Sequence, residues 1–394
     1  MKILWYSDGM HINSGYGKVT RYVCRFLVQQ GFDVMCFNRQ LYGGNIIIMG
    51  VPNVGTMGTG SEEYLIPQYF EVFERDTLIT LMDIWYMKWI RKVIKYPKVK
   101  RWIPYVPVHC ELKHELRLEV EPLYHCYKAI AMSKFGYEQL KKVLLEEDII
   151  YIPHGVDTNI YKPLPEEKRK IARKILGIGE DDFVFGFCGV NLGDRKGIPE
   201  LIKAFSIFLE NNPDAKKDCK LLLWTNIMYR EGSTFDILLL LDIYNVRDYT
   251  KVPRFQPPQL FYDELFMRDF YNAIDVYVTM SRAEGFGLPL LEAQACGTPC
   301  IVPNNTAQRE LVEGHGWLVK EVTKLVLLTS PTHGEFSIPD VHDMADKMAE
   351  AYNKDSLREY YARKSLEFAR QFDWDIILYK YWLPFMRKLQ EESK

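Results

Sequence analysis

The sequence predicts an α/β chain built as two similar halves, each a mainly parallel sheet covered by helices on both faces. Three observations carry this. At 394 residues the chain is too long for one ordinary core, so two domains of under about 200 residues are expected. Short β-rich apolar runs alternate along it with runs whose apolar residues recur at helical spacing. A strand, a glycine-containing loop and a helix open the chain at Lys2, and a similar strand opens again at Phe183.

The first half begins with Lys2 to Tyr6 as a buried strand, followed by Ser7-Asp8-Gly9 and the loop Ser14-Gly15-Tyr16-Gly17. Val19, Tyr22, Val23, Phe26 and Leu27 then mark a helix that Gly31 ends. This is the opening of a dinucleotide-type βαβ unit without the full GxGxxG spacing, and such glycines can also simply make turns. Further strands are expected at Asp33 to Phe37, Ile46 to Val51, Leu78 to Met82, Tyr105 to Val108, Ala129 to Met132 and Ile149 to Ile152. Active sites in such sheets lie beyond the carboxyl ends of the strands, which is where His109 falls. A histidine there can also cap a carbonyl. A metal reading of His109 and His114 with Glu111 and Glu115 is poor, because the spacing separates the two rings and no HExxH is present.

Gly155 and Asp157 read as a turn after the last strand of that half. Pro163, Pro165 and the charged run Glu166 to Lys170 read as a linker entering a helix, which gives domains at 1–163 and 164–372 with a C-terminal helix at 373–394. The second half opens with the strand FVFGFCGV, then Asn191 to Gly197. Arg195 and Lys196 lie there between glycines and ahead of a helix. An arginine fork, a compact lysine charge and a helix start suit a phosphate, the alternative being a surface basic pair. Residues 226–262 are less regular, and the Tyr- and Pro-containing stretch from Tyr249 to Tyr262 could shape a base pocket. Gly314 to Val319 gives a further turn and strand, and the segment from there to 340 is too irregular to assign. Val341 to Phe372 reads as helices, and Ile376, Ile377, Tyr379, Trp382 and Leu383 give the last helix an apolar stripe.

The densest signal is Ser281 to Val302, SRAEGFGLPLLEAQACGTPCIV. Asp275 to Met280 precedes it as a strand, Pro289 sits just inside a helix start, and Gly297 with Pro299 ends that helix before the strand at Cys300. A glycine loop feeding a helix leaves N–H groups at Phe286, Gly287 and Leu288 for an anionic or hydroxyl-rich ligand. Glu284 lies at the mouth and Glu292 about one turn into the helix, which puts their carboxylates on the order of 10 Å apart. That is wide for the ~5 to 9.5 Å pair of a glycosidase, but it suits a grip on two hydroxyl-bearing groups of one long ligand. A solvated glutamate and a helix-start glutamate are the plainer alternative.

Ser281, Glu284-Gly285-Phe286-Gly287-Leu288-Pro289 and Leu291-Glu292-Ala293, followed by Gly297-Thr298-Pro299, resemble the Glu-x7-Glu signature of retaining glycosyltransferases of family four, which have the GT-B fold. The resemblance implies two Rossmann-like domains with an interdomain cleft, the second binding a nucleotide diphosphate sugar, and a C-terminal helix at 373–394 that crosses back onto the first domain. By it, Arg195 and Lys196 neutralise the diphosphate, Glu284 holds the transferred sugar and Glu292 the ribose. His109 approaches the donor sugar, and the Gly15-Tyr16-Gly17 loop faces the diphosphate and acceptor. It implies a hexosyltransferase-type enzyme that retains anomeric configuration, with no metal or cofactor and an acceptor that the sequence does not name. One departure is the replacement of the family's frequent glycine in Leu223-Trp224-Thr225-Asn226, which touches the nucleobase contacts. An epimerase or phosphorylase on the same fold and a sugar- or nucleotide-binding protein without turnover are the competing readings.

Composition narrows the partners. With 50 basic and 52 acidic residues there is no global field to recruit nucleic acid. Eight cysteines without a CxxC pair fit buried thiols in a reducing cytoplasm, and the longest aliphatic run, Ile237 to Leu241, is far below a membrane span. The exception is Lys88 to Trp102, KWIRKVIKYPKVKRW, basic and interleaved with aromatics. It can lie peripherally on an anionic membrane, or form a solvated basic helix with a tryptophan anchored in the core.

Overall fold

A computed structural model of the chain describes residues 1–40, 44–55, 62–113, 120–227, 234–252, 263–326 and 334–393. It divides into two units, Met1–Gly155 with Trp374–Lys394, and Val156–Asp373. The boundary thus falls earlier than Pro163. Tyr161 is buried beside Tyr271, ring centroids 6.1 Å apart, and the Leu164 N–H donates to Asn272 Oδ1 at 2.7 Å, so this stretch is packed with the second unit.

The first unit holds an eight-stranded sheet made of β1 (Lys2–Ser7), β2 (Asp33–Asn38), β3 (Asn45–Ile48), β4 (Val51–Gly55), β5 (Thr77–Leu81), β6 (Arg101–Val106), β7 (Ala129–Ala131) and β8 (Ile149–Tyr151). Their order is β3-β4-β2-β1-β5-β6-β7-β8, and every pairing is parallel except β3 with β4. The single strand expected at Ile46 to Val51 is instead a hairpin. Met49 and Gly50 both take positive φ (51° and 81°), the backbone of a tight antiparallel turn, and a non-glycine at the first position hides it from the sequence.

The second unit carries β9 (Phe183–Cys188), β10 (Cys219–Trp224), β11 (Thr250–Lys251), β12 (Val276–Val278), β13 (Cys300–Pro303) and β14 (Trp317–Val319), all parallel, in the order β11-β10-β9-β12-β13-β14. A separate antiparallel pair, β15 (Glu321–Val326) and β16 (Glu335–Pro339), occupies the segment the sequence left unassigned. Each unit has its own apolar core. In the second, Phe205, Phe208 and Leu209 of the Ile198–Asn211 helix pack with Phe185, Leu221 and Val276 of the sheet.

From β9 the chain builds outward through β10 and β11, then returns to the other side of β9 for β12. The order therefore reverses between β9 and β12, and the loops leaving their carboxyl ends diverge there. A parallel sheet opens a crevice for ligands at that place.

Among the described residues no helix is long and apolar enough to cross a membrane. All eight cysteines are free thiols. In the basic stretch, Trp102 is buried and donates to Thr80 Oγ1 at 3.0 Å, and Trp89 packs edge-on to Tyr6 at 4.9 Å. Lys92 pairs with Glu63 at 2.8 Å, Arg91 with Glu121 at 2.5 Å and Lys98 with Glu71. The two tryptophans face inward, and several of the charges have acidic partners in the same unit.

Candidate functional site

The loop after β9 and the loop after β12 bring the strongest candidates together. Gly197 makes this approach feasible: its φ is 62°, and a Cβ there would lie 2.1 Å from the Met280 carbonyl oxygen. The Arg282 N–H donates to the Arg195 carbonyl at 2.8 Å, tying the two loops main chain to main chain.

Within that frame Lys196 Nζ lies 2.6 Å from Glu284 Oε1, and Arg195 Nη1 lies 3.2 Å from Glu284 Oε2. Ser281 Oγ donates to Oε1 at 2.8 Å, and Arg195 Nη1 also donates to the Ala283 carbonyl at 2.8 Å. Burial by itself raises the Glu284 carboxyl, but Lys196 and Arg195 outweigh it and hold the group at about 2. Burial lowers the Lys196 ammonium, with Glu284 opposing. The cluster is two cations on one carboxylate, a site that can exchange its internal anion for an external one.

The helix Leu288–Ala295 begins immediately beyond. Gly287 caps it at φ 107° with no side-chain hydrogen bond to the cap, and Phe286 is buried. The first-turn N–H groups of a helix have no intrahelical acceptors and carry its positive end. Glu292, one turn in, is buried and accepts from the Tyr271 hydroxyl at 2.8 Å.

The remaining candidates belong to the first unit. Gly17 lies in the first turn of the Gly15–Gln29 helix, and a Cβ on it would meet the Ile12 carbonyl oxygen at 2.1 Å. Its N–H donates to Ser14 Oγ at 3.0 Å, and that hydroxyl donates to Asp8 Oδ2 at 2.7 Å. Gln40 Nε2 donates to Asp8 Oδ1 at 2.6 Å. Tyr16 packs partly buried against the core. His109 is buried after β6, its ring edge-on to Trp85 at 4.8 Å, in a pocket that Pro107, Val108, Leu112 and Leu123 also line. His114 and Glu115 lie outside the described residues, as do positions 253–262 of the Tyr249 to Tyr262 stretch.

Several residues that sequence reasoning missed hold these loops. Asn191, fully buried, receives at Oδ1 the Phe235 N–H at 3.0 Å and donates through Nδ2 to the Asn226 and Phe235 carbonyls at 3.1 and 2.8 Å. Asp8, Ser14 and Gln40 do similar work after β1. The partners of Asn191 and the Asp8–Gln40 pair are remote in the chain, so no spacing announces them. The tight Ser-x-x-Gly start of the helix was the one local signal.

Comparison with known proteins follows the same lines. A family model described as "Glycosyl transferases group 1" matches residues 168–367. The chain is similar to proteins named D-inositol 3-phosphate glycosyltransferase. It is 29% identical to that of Saccharomonospora viridis over 224 residues, 56% of this chain and 46% of the other. It is 30% identical to that of Actinosynnema mirum over 229 residues, 58% of this chain and 49% of the other. The chain thus spans about half the length of the curated relatives it matches. In structure it resembles the sucrose-phosphate synthase of Thermosynechococcus elongatus, with TM-score 0.76, 18% identity and full coverage of both chains. It also resembles Anabaena HepE, solved in complex with UDP-glucose, with TM-score 0.71, 17% identity and 96% and 98% of the two chains covered. At such identities the likeness speaks to fold, and the fold is GT-B.

Proposed function

The chain belongs to the group 1 glycosyl transferases, and from that premise we propose that it moves a sugar from a nucleotide diphosphate sugar to a hydroxyl-bearing acceptor with retention of anomeric configuration. The observation that carries this reading is the cluster of Arg195, Lys196, Ser281 and Glu284 at the point where the sheet order reverses. Transfer breaks the bond between the anomeric carbon and the diphosphate oxygen, and negative charge grows on the departing diphosphate. Arg195, Lys196 and the amides at Phe286, Gly287 and Leu288 supply fixed positive charge and dipoles for that anion. Glu284, released from its cations, receives hydroxyls of the transferred sugar, and Glu292 takes the ribose. His109 and the Gly15-Tyr16-Gly17 turn serve the sugar and the acceptor from the first unit. By the family resemblance, the acceptor approaches from the leaving group's side, where a donor phosphate oxygen takes its proton.

Because the protein's own cations meet the leaving-group charge, no metal is needed, and chelation with EDTA should leave turnover unchanged. A rate that collapses on chelation and returns with a divalent cation would overturn that part. The donor is found by a thermal-shift screen of nucleotide sugars, since a ligand that binds only the folded state raises apparent stability. A hit blunted by Arg195→Ala and altered by Glu284→Gln, with nucleoside diphosphate released on adding an acceptor, supports the reading. A hit indifferent to both substitutions removes the site, and saturable binding without released diphosphate replaces the enzyme with a binding protein.

A further inference from the structure

The Glu284 carboxylate is held by the same cations that a diphosphate would claim, so once they are engaged this residue needs a hold beyond the Ser281 hydroxyl. The connection from β13 to the helix Thr306–Val312 supplies it. Thr306 Oγ1 accepts the Glu284 N–H at 3.0 Å and donates to Asn305 Oδ1 at 3.0 Å. Gln308 Nε2 donates to Asn305 Oδ1 at 2.6 Å and to the Ser281 carbonyl at 2.8 Å, and both Asn305 and Gln308 are buried. The loop from Ser281 to Glu284 is therefore fastened at both ends to one short polar turn, through its main chain and independently of Arg195 and Lys196.

Thr306 achieves this at φ 42°. A β-branched residue is seldom found at positive φ, because its Cβ substituents crowd the backbone there. Glycine would adopt that conformation freely, but it has no hydroxyl to offer Glu284. Strained conformations persist where the surrounding structure over-determines them, and such places cluster at functional sites.

We propose that Thr306 is a positioning residue for sugar recognition: its hydroxyl fixes the main chain of Glu284 so that the carboxylate stays aimed when the cations pass to the diphosphate. The inference rests on the donor reading given above. It predicts that Thr306 matters for the sugar and not for the nucleoside diphosphate.

The test is titration calorimetry of the full chain with UDP and UDP-glucose, and with GDP and GDP-mannose, alongside thermal unfolding of each variant. Thr306→Val keeps the shape and removes the acceptor, Thr306→Ser keeps the hydroxyl, and Thr306→Gly relieves the backbone while removing it. For the pair that binds, the expected result is bare-diphosphate affinity within about twofold of wild type in all three. Affinity for the nucleotide sugar falls at least fivefold in the valine and glycine variants and is kept within about twofold by serine. The glycine variant should melt no lower than wild type, which separates a positioning role from a structural one. Glycine binding the nucleotide sugar as wild type does, or a valine variant losing diphosphate and nucleotide sugar equally, overturns the inference alone. A wild-type chain that binds none of these four ligands and no other nucleotide sugar of the thermal-shift screen overturns the donor reading and the inference with it.

Discussion

At the scale of single residues, the proposed donor site turns on a contest at Glu284. Two cations facing one carboxylate are already neutralised in part, so a diphosphate must displace an internal anion before it gains their full attraction. Glu284→Gln removes that competitor. The variant should bind a bare nucleoside diphosphate about tenfold more tightly, which corresponds to ~1.4 kcal/mol, while sugar transfer is lost. Calorimetry beside a product assay checks both, and unchanged diphosphate affinity would show that the pair does not compete. The same ion pairs make an acid-labile element. The folded-state carboxyl sits at about 2, below its unfolded value of about 4.3, so its contribution is complete above the unfolded value and is lost as pH falls toward 2. The difference amounts to roughly 3 kcal/mol at most. Urea midpoints between pH 5 and 2 should therefore fall more steeply for wild type than for Glu284→Gln, and parallel slopes would refute the assignment.

At the scale of elements, the site depends on two loops that approach each other closely enough to exclude a Cβ at Gly197. Gly197→Ala must adopt a positive φ and push against the Met280 carbonyl at once. It should cost on the order of 2 kcal/mol or more and weaken diphosphate binding, because Lys196 moves with the loop. Chemical denaturation and calorimetry on one preparation read both effects, and a variant stable and tight as wild type would mean the loops relax freely. This element also marks how far the sequence could be read. Arg195, Lys196 and Glu284 could be placed in strand-to-helix loops, and Glu292 in the helix beyond, because glycines, a proline and charged residues punctuate those segments. The partners that fasten those loops could not be placed so: Asn191 meets Phe235, and Thr306 meets Glu284, across stretches of chain in which no periodicity relates them. The Met49-Gly50 hairpin and the β15-β16 pair escaped for a related reason. Both depend on backbone turns and antiparallel pairing, and their exposed residues carry no buried-face pattern.

At the scale of the whole molecule, the chain leaves the first unit at Gly155 and returns to it at Trp374. Alternating strand and helix patterns made the two α/β halves legible, and the family resemblance, rather than the apolar stripe itself, pointed the last helix back to the first half. Its aromatic contacts decide the matter. Trp382 is fully buried, with ring centroids 5.6 Å from Trp5 and 5.5 Å from Tyr105, and Trp374 stacks on Tyr22 at 4.9 Å. Arg101 Nη1 donates to Ser393 Oγ at 2.7 Å near the far end of the segment. The returning helix is thus part of the first unit's core, and the first sheet cannot complete that core until the second unit has been threaded through. Trp382→Ala should remove ~3–5 kcal/mol from the first unit by opening a cavity beside Trp5 of β1 and Tyr105 of β6. Its effect on the second unit should be small, since Phe185, Phe205 and Phe208 form a separate core there. A single unfolding energy does not describe such a chain, so the measurement is a denaturation followed both by overall circular dichroism and by diphosphate binding. The expected outcome is an early loss of part of the ellipticity with binding at Arg195 and Lys196 retained until a later transition. If binding and the whole signal are lost together at the earlier midpoint, the two cores are not energetically separable, and the returning helix stabilises the second unit as much as its own.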